Sequence, residues 1–131
     1  NILLISGYVE TRQFLRSALL RHGFRLKAVG SRKQALTGAP SGDHDLILID
    51  LEQKAGYDGI AVIRQIRKRR RTPVIVLCRR NDEASIRSAL DCGADDYVIK
   101  PFTVSNLVAR MRSIVRRALP VHKNIDISTA S

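Results

Sequence analysis

Three runs, Ile2 to Ile5, Asp45 to Asp50 and Val74 to Cys78, are apolar almost without interruption, and after each of them apolar residues recur at helical spacing. A strand with one wet face alternates apolar and polar residues, whereas a strand buried on both faces reads as a continuous apolar run. Strands of the second kind need covering layers on both sides, and the helices between them supply those layers through right-handed crossovers. The pattern therefore predicts an α/β chain, a doubly wound parallel sheet of five strands.

The remaining elements follow the same rhythm. Thr11, Phe14, Leu15, Ala18 and Leu19 form the first helical stripe, and Gly23 stands where a C-cap belongs. Arg25 to Val29 reads as the second strand, Ser31 as the cap of a short helix through Leu36, and Ala39 to Asp43 as a loop. After a turn at Lys54 to Gly59, Ile60, Ile63, Ile66 and Arg67 predict a helix closed by Pro73. Asp82 is expected to cap a helix carrying Ile86, Ala89 and Leu90, ended by Gly93. Tyr97 to Ile99 is the fifth strand, and Thr103 caps a helix with Val104, Leu107, Val108, Met111, Ile114 and Val115 on one side. Residues 1–118 form one domain in this reading, and residues 119–131 a linker or tail.

A length of 131 residues suits one core, and 44% hydrophobic with 27% charged residues is ordinary globular usage. The apolar runs are far shorter than the roughly 18 residues that span a bilayer. Two cysteines, Cys78 and Cys92, do not make a disulfide framework, so a reducing cytoplasm is expected. His22, His44 and His122 show no metal-ligand spacing with them, and dinucleotide, P-loop and hydrolase motifs are absent. The chain is not expected to be an enzyme. Its formal charge of +11 admits polyanionic partners, and the run from Arg64 through Arg71 is the densest basic stretch. That run reads first as a solvated helix end, where cations suit the macrodipole, and second as a nucleic-acid contact.

In doubly wound sheets, ligands bind beyond the carboxyl ends of the strands. Those positions hold Ser6, Gly7, Asp50, Cys78 and Lys100. DLILIDL around Asp50, Asp58-Gly59, and GADDYVIKPF from Gly93 to Phe102 resemble a response-regulator receiver domain of two-component signalling, over Ile2 to about Arg117. LVARMRSIVRR from Leu107 is similar to the OmpR-like subfamily, whose receivers precede a winged-helix DNA-binding domain. The resemblance implies a flavodoxin-like (βα)5 fold, with Asp50 as phosphoacceptor for a histidine kinase, Lys100 as its cation and Tyr97 as an aromatic switch. It also implies that the chain is a fragment of a longer regulator that reaches DNA through a further domain, not included in this sequence.

The pocket departs from that family. Where the family carries an acidic pair after its first strand, this chain has Ser6 and Gly7; where it carries Ser or Thr after the fourth, this chain has Cys78, followed by Arg79. Mg²⁺ prefers carboxylate oxygens and retained waters, and two carboxylates are missing. Asp50 is therefore expected to pair with Lys100, with Arg79 a second candidate, and to bind Mg²⁺ and phosphate weakly or not at all. No cofactor is expected unless the pocket functions. The opposing reading lets Glu10 or Glu52 supply the missing oxygen, keeping a weak Mg²⁺ site at Asp50 and a conventional phosphoacceptor.

Without a phosphate switch the expected role is homodimerisation, through the helix around Ile86, the strand at Tyr97 and the helix from Val104. In the OmpR-like subfamily this face carries cross-subunit ion pairs, and Asp95, Asp96, Arg110 and Arg117 stand at matching positions. Ile86 and Asn106 replace one basic and one acidic partner, so both charges of that pair are removed together. Tyr97 is expected to pack as an amphipathic side chain, and Cys78 as a small buried residue, with redox sensing as its alternative.

Overall fold

Residues 1–31, 33–35, 44–52 and 58–117 are described in a computed structural model of the chain. Strands β1 (Ile2–Ile5), β2 (Leu26–Val29), β3 (Leu46–Asp50), β4 (Val74–Arg79) and β5 (Asp96–Lys100) alternate with helices α1 (Val9–Arg21), α2 (Gly59–Arg67), α3 (Glu83–Asp91) and α4 (Val104–Arg117). A helical stretch at residues 33–35 lies between β2 and β3. Every pairing is parallel, in the order β2-β1-β3-β4-β5, which is the flavodoxin-like order. The order reverses between β1 and β3, and the crevice at that switch point opens beyond Ile5 and Asp50.

Alternation within the apolar strands feeds two cores. Leu3, Ile5, Ile47, Ile49, Val74 and Val76 pack on one face with Val62, Ile63 and Ile66 of α2 and with Ala89 of α3. Ile2, Leu4, Leu46, Leu48, Ile75 and Leu77 pack on the other, against Leu15 and Leu19 of α1 and Leu107, Val108, Met111 and Ile114 of α4. Each fully buried Leu or Ile contributes about 1.5–3 kcal/mol relative to exposure. Both faces are dry, and this is why strands β1 and β3 show no period of two.

Several boundaries differ from the sequence expectation. Arg25 and Asp45 lie outside their strands, while β4 extends to Arg79 and β5 runs from Asp96 to Lys100. Phe14 is 56% exposed and not part of the core, because Leu15 and Leu19 alone fill the groove under α1. Asp82 makes no side-chain cap bond, whereas Asp58, read as part of a turn, accepts from the N–H groups of Ile60 and Ala61 and starts α2. Thr103 and Ser31 do cap, accepting from Asn106 and Gln34 N–H. The expected loop Ala39 to Asp43, Leu36, most of the turn before Asp58, His122 and the tail 119–131 lie outside the described residues.

Arg67 departs furthest from the solvated-end reading. Its guanidinium donates to the carbonyls of Gly93 (3.0 Å), Arg70 (3.3 Å) and Thr72 (2.7 Å), and to Asp95 Oδ2 (3.0 Å). One side chain thus staples the α2–β4 connection to the α3–β5 connection. Gly93 adopts φ +118, and a Cβ there would lie 2.8 Å from Arg67 Cγ.

Candidate functional site

The crevice at the switch point is built by strand ends. Register places Ile5 opposite Ile49 and Asp50 opposite Leu77, so the residues after β1 and at the end of β3 are neighbours. Asp50 is 0% exposed, and its carboxylate is held from three directions. Lys100 Nζ lies 2.9 Å from Oδ1 and 3.0 Å from Oδ2, Ser6 Oγ donates to Oδ2 at 2.9 Å, and Glu52 N–H donates to Oδ1 at 3.0 Å. A carboxylate offers about four lone-pair sites, and these bonds engage that many. Tyr8 N–H donates to Ser6 Oγ at 3.2 Å, which fixes the hydroxyl with its proton toward Asp50.

Arg79 does not reach Asp50. Its Nε donates to Glu52 Oε1 at 2.8 Å, while Glu52 Oε2 lies 3.6 Å from Lys100 Nζ. Because β4 continues through Arg79, this side chain leaves the strand end toward the β3 connection and meets Glu52 first. The hydrogen bond from Arg79 holds the Glu52 carboxyl below its ordinary value, outweighing burial, and the same bond raises Arg79. Asp50, Glu52, Lys100 and Arg79 form a chain of alternating charge whose formal sum is zero.

Cys78 is buried, its Sγ 3.5 Å from Val98 O. Burial pushes its thiol up to about 11, with the Asp82 carboxylate acting in the same direction and Lys100 against it. Burial and a raised thiol both favour the packing role of Cys78 over the redox alternative, since the thiolate is the reactive form. Tyr97 is 38% exposed and lines a groove of about 390 Å³ with Arg80, Ile86, Leu90 and Ile99. Along the same side, Arg110 bonds Asp96 at 3.1 Å within the chain, and Asp95 is turned to Arg67 and to the N–H of Val74. Asn106 and Arg117 are exposed on α4.

Sequence reasoning missed Arg12. One turn into α1, it donates to Ser6 O at 2.7 Å and lies where a Cβ on Gly30 would meet its guanidinium at 2.5 Å. No motif marks it; only its contact with Ser6 ties it to the crevice.

The model for the response regulator receiver domain matches residues 2–112. The chain belongs to the response-regulator receiver family. It is 41% identical over 117 residues to the KDP operon transcriptional regulatory protein KdpE of Escherichia coli, covering 89% of this chain and 52% of that protein. The chain thus spans about half the length of the curated relatives it matches. A two-component response regulator from Clostridium difficile superposes with TM-score 0.82 at 30% identity, covering 91% of this chain and 98% of that one. The receiver domain of a sensor histidine kinase from Pseudomonas aeruginosa, with a magnesium ion coordinated in its active site cleft, superposes with TM-score 0.79 at 27% identity, covering 87% and 95%.

That neighbour holds Mg²⁺ in its own active site cleft. Mg²⁺ takes about six oxygens in near-ideal octahedral geometry and dehydrates reluctantly. Gly7 carries no side-chain oxygen, the Ser6 hydroxyl is uncharged and already accepts from Tyr8 N–H, and Glu52 is engaged by Arg79. Among the described residues no three His, Cys, Asp or Glu side chains converge as a metal-holding group. This donor set does not fit Mg²⁺ unless a bond to Asp50 is broken. As for membranes, no described helix is long and apolar enough to cross one.

Proposed function

We propose that this chain is the receiver domain of a DNA-binding transcriptional regulator that works without phosphorylation, by associating with a second copy of itself. The observation that carries this reading is the saturated Asp50 carboxylate, bonded to Lys100, Ser6 Oγ and Glu52 N–H. A nucleophilic carboxylate needs a free lone pair aimed at phosphorus, and the developing charge on the transferred group needs a cation beyond those already neutralised. Lys100 is shared between Asp50 and Glu52, so no net positive charge remains for an incoming phosphoryl group.

Association is supported by the side formed by α3, β5 and α4. Ile86, Leu90, Tyr97 and Ile99 form the apolar floor of an open groove there, with Leu90 39% exposed, and Arg80, Glu83, Arg87 and Asp91 flank it with two charges of each sign. Ile86 and Asn106 bring no charge to that side, which lowers the cost of covering it with a second copy. Asp96, Arg110 and Arg117 supply a polar border.

A conventional phosphoacceptor is the second reading. It is favoured by the position of Asp50 at the end of β3 beside Lys100, and by the magnesium-bound neighbour. In that reading a histidine kinase is the partner and Glu52 swings from Arg79 to the metal.

Sedimentation equilibrium of the chain with and without a small-molecule phosphodonor and Mg²⁺ tests the proposal. The expected result is one dimer constant under both conditions, weakened at least tenfold by Ile86→Arg. A dimer that forms only with phosphodonor supports the second reading, and a monomer throughout removes the association claim.

A further inference from the structure

The +11 charge is unevenly placed. In a parallel α/β sheet the helices run back against the strands, so helix C-termini and strand N-termini share one edge. Backbone bonds from Ile2 N–H to Arg25 O and from Ile47 N–H to Pro73 O run along that edge, on the far side from Asp50. Arg112 lies 5.9 Å from the centroid of the Phe24 ring, which brings the last turns of α4 to the same place. Arg21, Arg25, Lys68, Arg69, Arg71 and Arg116 are exposed there. Of the acids at this edge, Asp95 and Asp96 are bonded to Arg67 and Arg110 and Asp45 to the N-terminal ammonium, while Asp91 at the end of α3 is exposed, so the cations outnumber them. Glu10, Asp58, Asp82 and Glu83 sit at the opposite edge, at the helix starts.

Helix macrodipoles explain part of this segregation, because cations are favoured in the last turn. They account for Arg64 and Arg67. They account less well for Arg69 to Arg71, which lie beyond the C-cap Lys68 and repel one another. We propose that this edge is a contact surface for the phosphate backbone of duplex DNA.

The dimensions fit. Five strands about 4.8 Å apart make an edge about 20 Å wide. Duplex DNA carries one negative charge per about 1.7 Å of axis, so such an edge faces on the order of ten phosphates. Guanidinium groups dominate, and their planar fork matches phosphate oxygens in pairs. Phe24 is half-buried beside Arg112 and offers no stacking platform for unpaired bases, which favours a duplex over a single strand. Binding of this kind is independent of sequence: it adds affinity and orientation, while base readout belongs elsewhere in a regulator. The inference rests on the transcriptional reading only for what brings DNA near. It does not depend on Asp50 or on dimerisation.

Fluorescence anisotropy of a labelled random-sequence duplex, titrated with the full 131-residue chain at about 50 and 200 mM salt, tests it. The expected result is binding that falls steeply with salt. Arg69→Glu with Arg71→Glu is expected to weaken it at least tenfold and to reduce the logarithmic salt slope by about 2. Arg16→Glu with Lys33→Glu, the same charge change on exposed residues away from that edge and from the α3–β5–α4 groove, is expected to weaken it less than threefold. Circular dichroism melts of both variants separate lost contacts from lost folding, and Lys68→Gln with Arg71→Gln provides a milder pair if the first does not fold. No binding at low salt overturns the proposal, and so does equal loss from both pairs, which would report net charge alone. Tighter association with phosphatidylserine vesicles than with the duplex, abolished by the same pair, would overturn it in favour of a membrane surface. The dimer constant measured on the same samples keeps failure of the association reading distinct from failure of this one.

Discussion

Ser6 Oγ donates to Asp50 Oδ2 at 2.9 Å, joining the residue after β1 to the last residue of β3 across the switch point. A neutral donor here adds a hydrogen bond to the carboxylate, where an acid would add a like charge. Ser6→Asp combined with Gly7→Asp is expected to reverse this. Without metal the clustered carboxylates should lower the melting temperature by several degrees; saturating Mg²⁺ should restore it by ligand linkage, about 2.7 kcal/mol at a hundred times Kd. The parent should show no Mg²⁺-dependent shift in differential scanning calorimetry.

Lys100 is the cation for a fully buried acid. Lys100→Met leaves the Asp50 charge uncompensated and is expected to cost about 3–5 kcal/mol in urea unfolding. Adding Asp50→Asn should return more than half of that loss. Additive losses would show that the two groups are not coupled.

The Glu52 carboxyl is lowered first by the hydrogen bond from Arg79. A depressed acid contributes stability that is fully present above its unfolded value, near 4.5, and is lost as pH falls through the folded value. Arg79 is mostly exposed, so solvent screening keeps the contribution small. Glu52→Gln should therefore unfold at lower urea than the parent at pH 7, with the gap closing below pH 4.5. A gap that widens in acid would contradict the assignment.

Arg67 makes four hydrogen bonds to two chain connections. Arg67→Met is expected to cost about 1–3 kcal/mol, because partly buried carbonyl partners lose a charged donor. Arg67→Lys should recover little, since an ammonium cannot span these partners as a fork does. Gly93→Ala should also destabilise, both through its positive φ and through its contact with Arg67.

Burial of the Cys78 thiol, raised to about 11, separates it from the half-buried Cys92. One thiol should react with a disulfide reagent in the folded protein at pH 8, and the second only at the rate of unfolding. Rapid labelling of both would restore the redox reading of Cys78.

The parallel sheet was legible because β1, β3 and β4 lie between two cores and had to be apolar throughout. The α4 stripe was legible because one face of a long helix covers the sheet, and all four residues it buries belong to the expected set. The pairing of Asp50 with Lys100 followed from the family pattern, but the partner of Arg79 did not. That choice depends on β4 continuing one residue further and on where Glu52 turns after β3, and both are tertiary facts. Arg67 and Arg12 were invisible for a related reason: a helical arginine gives no sign in sequence that backbone carbonyls of distant loops surround it. The charge run that contains Arg67 hid a partly buried staple beside exposed neighbours.

Whether Asp50 accepts a phosphoryl group separates the two readings of the crevice. Intact-mass spectrometry of the chain and of Asp50→Asn, after incubation with acetyl phosphate and Mg²⁺, measures this directly. No phosphoryl adduct is expected on either protein while the parent remains folded by circular dichroism. An adduct on the parent that is absent from Asp50→Asn would contradict that expectation and make Asp50 a working acceptor.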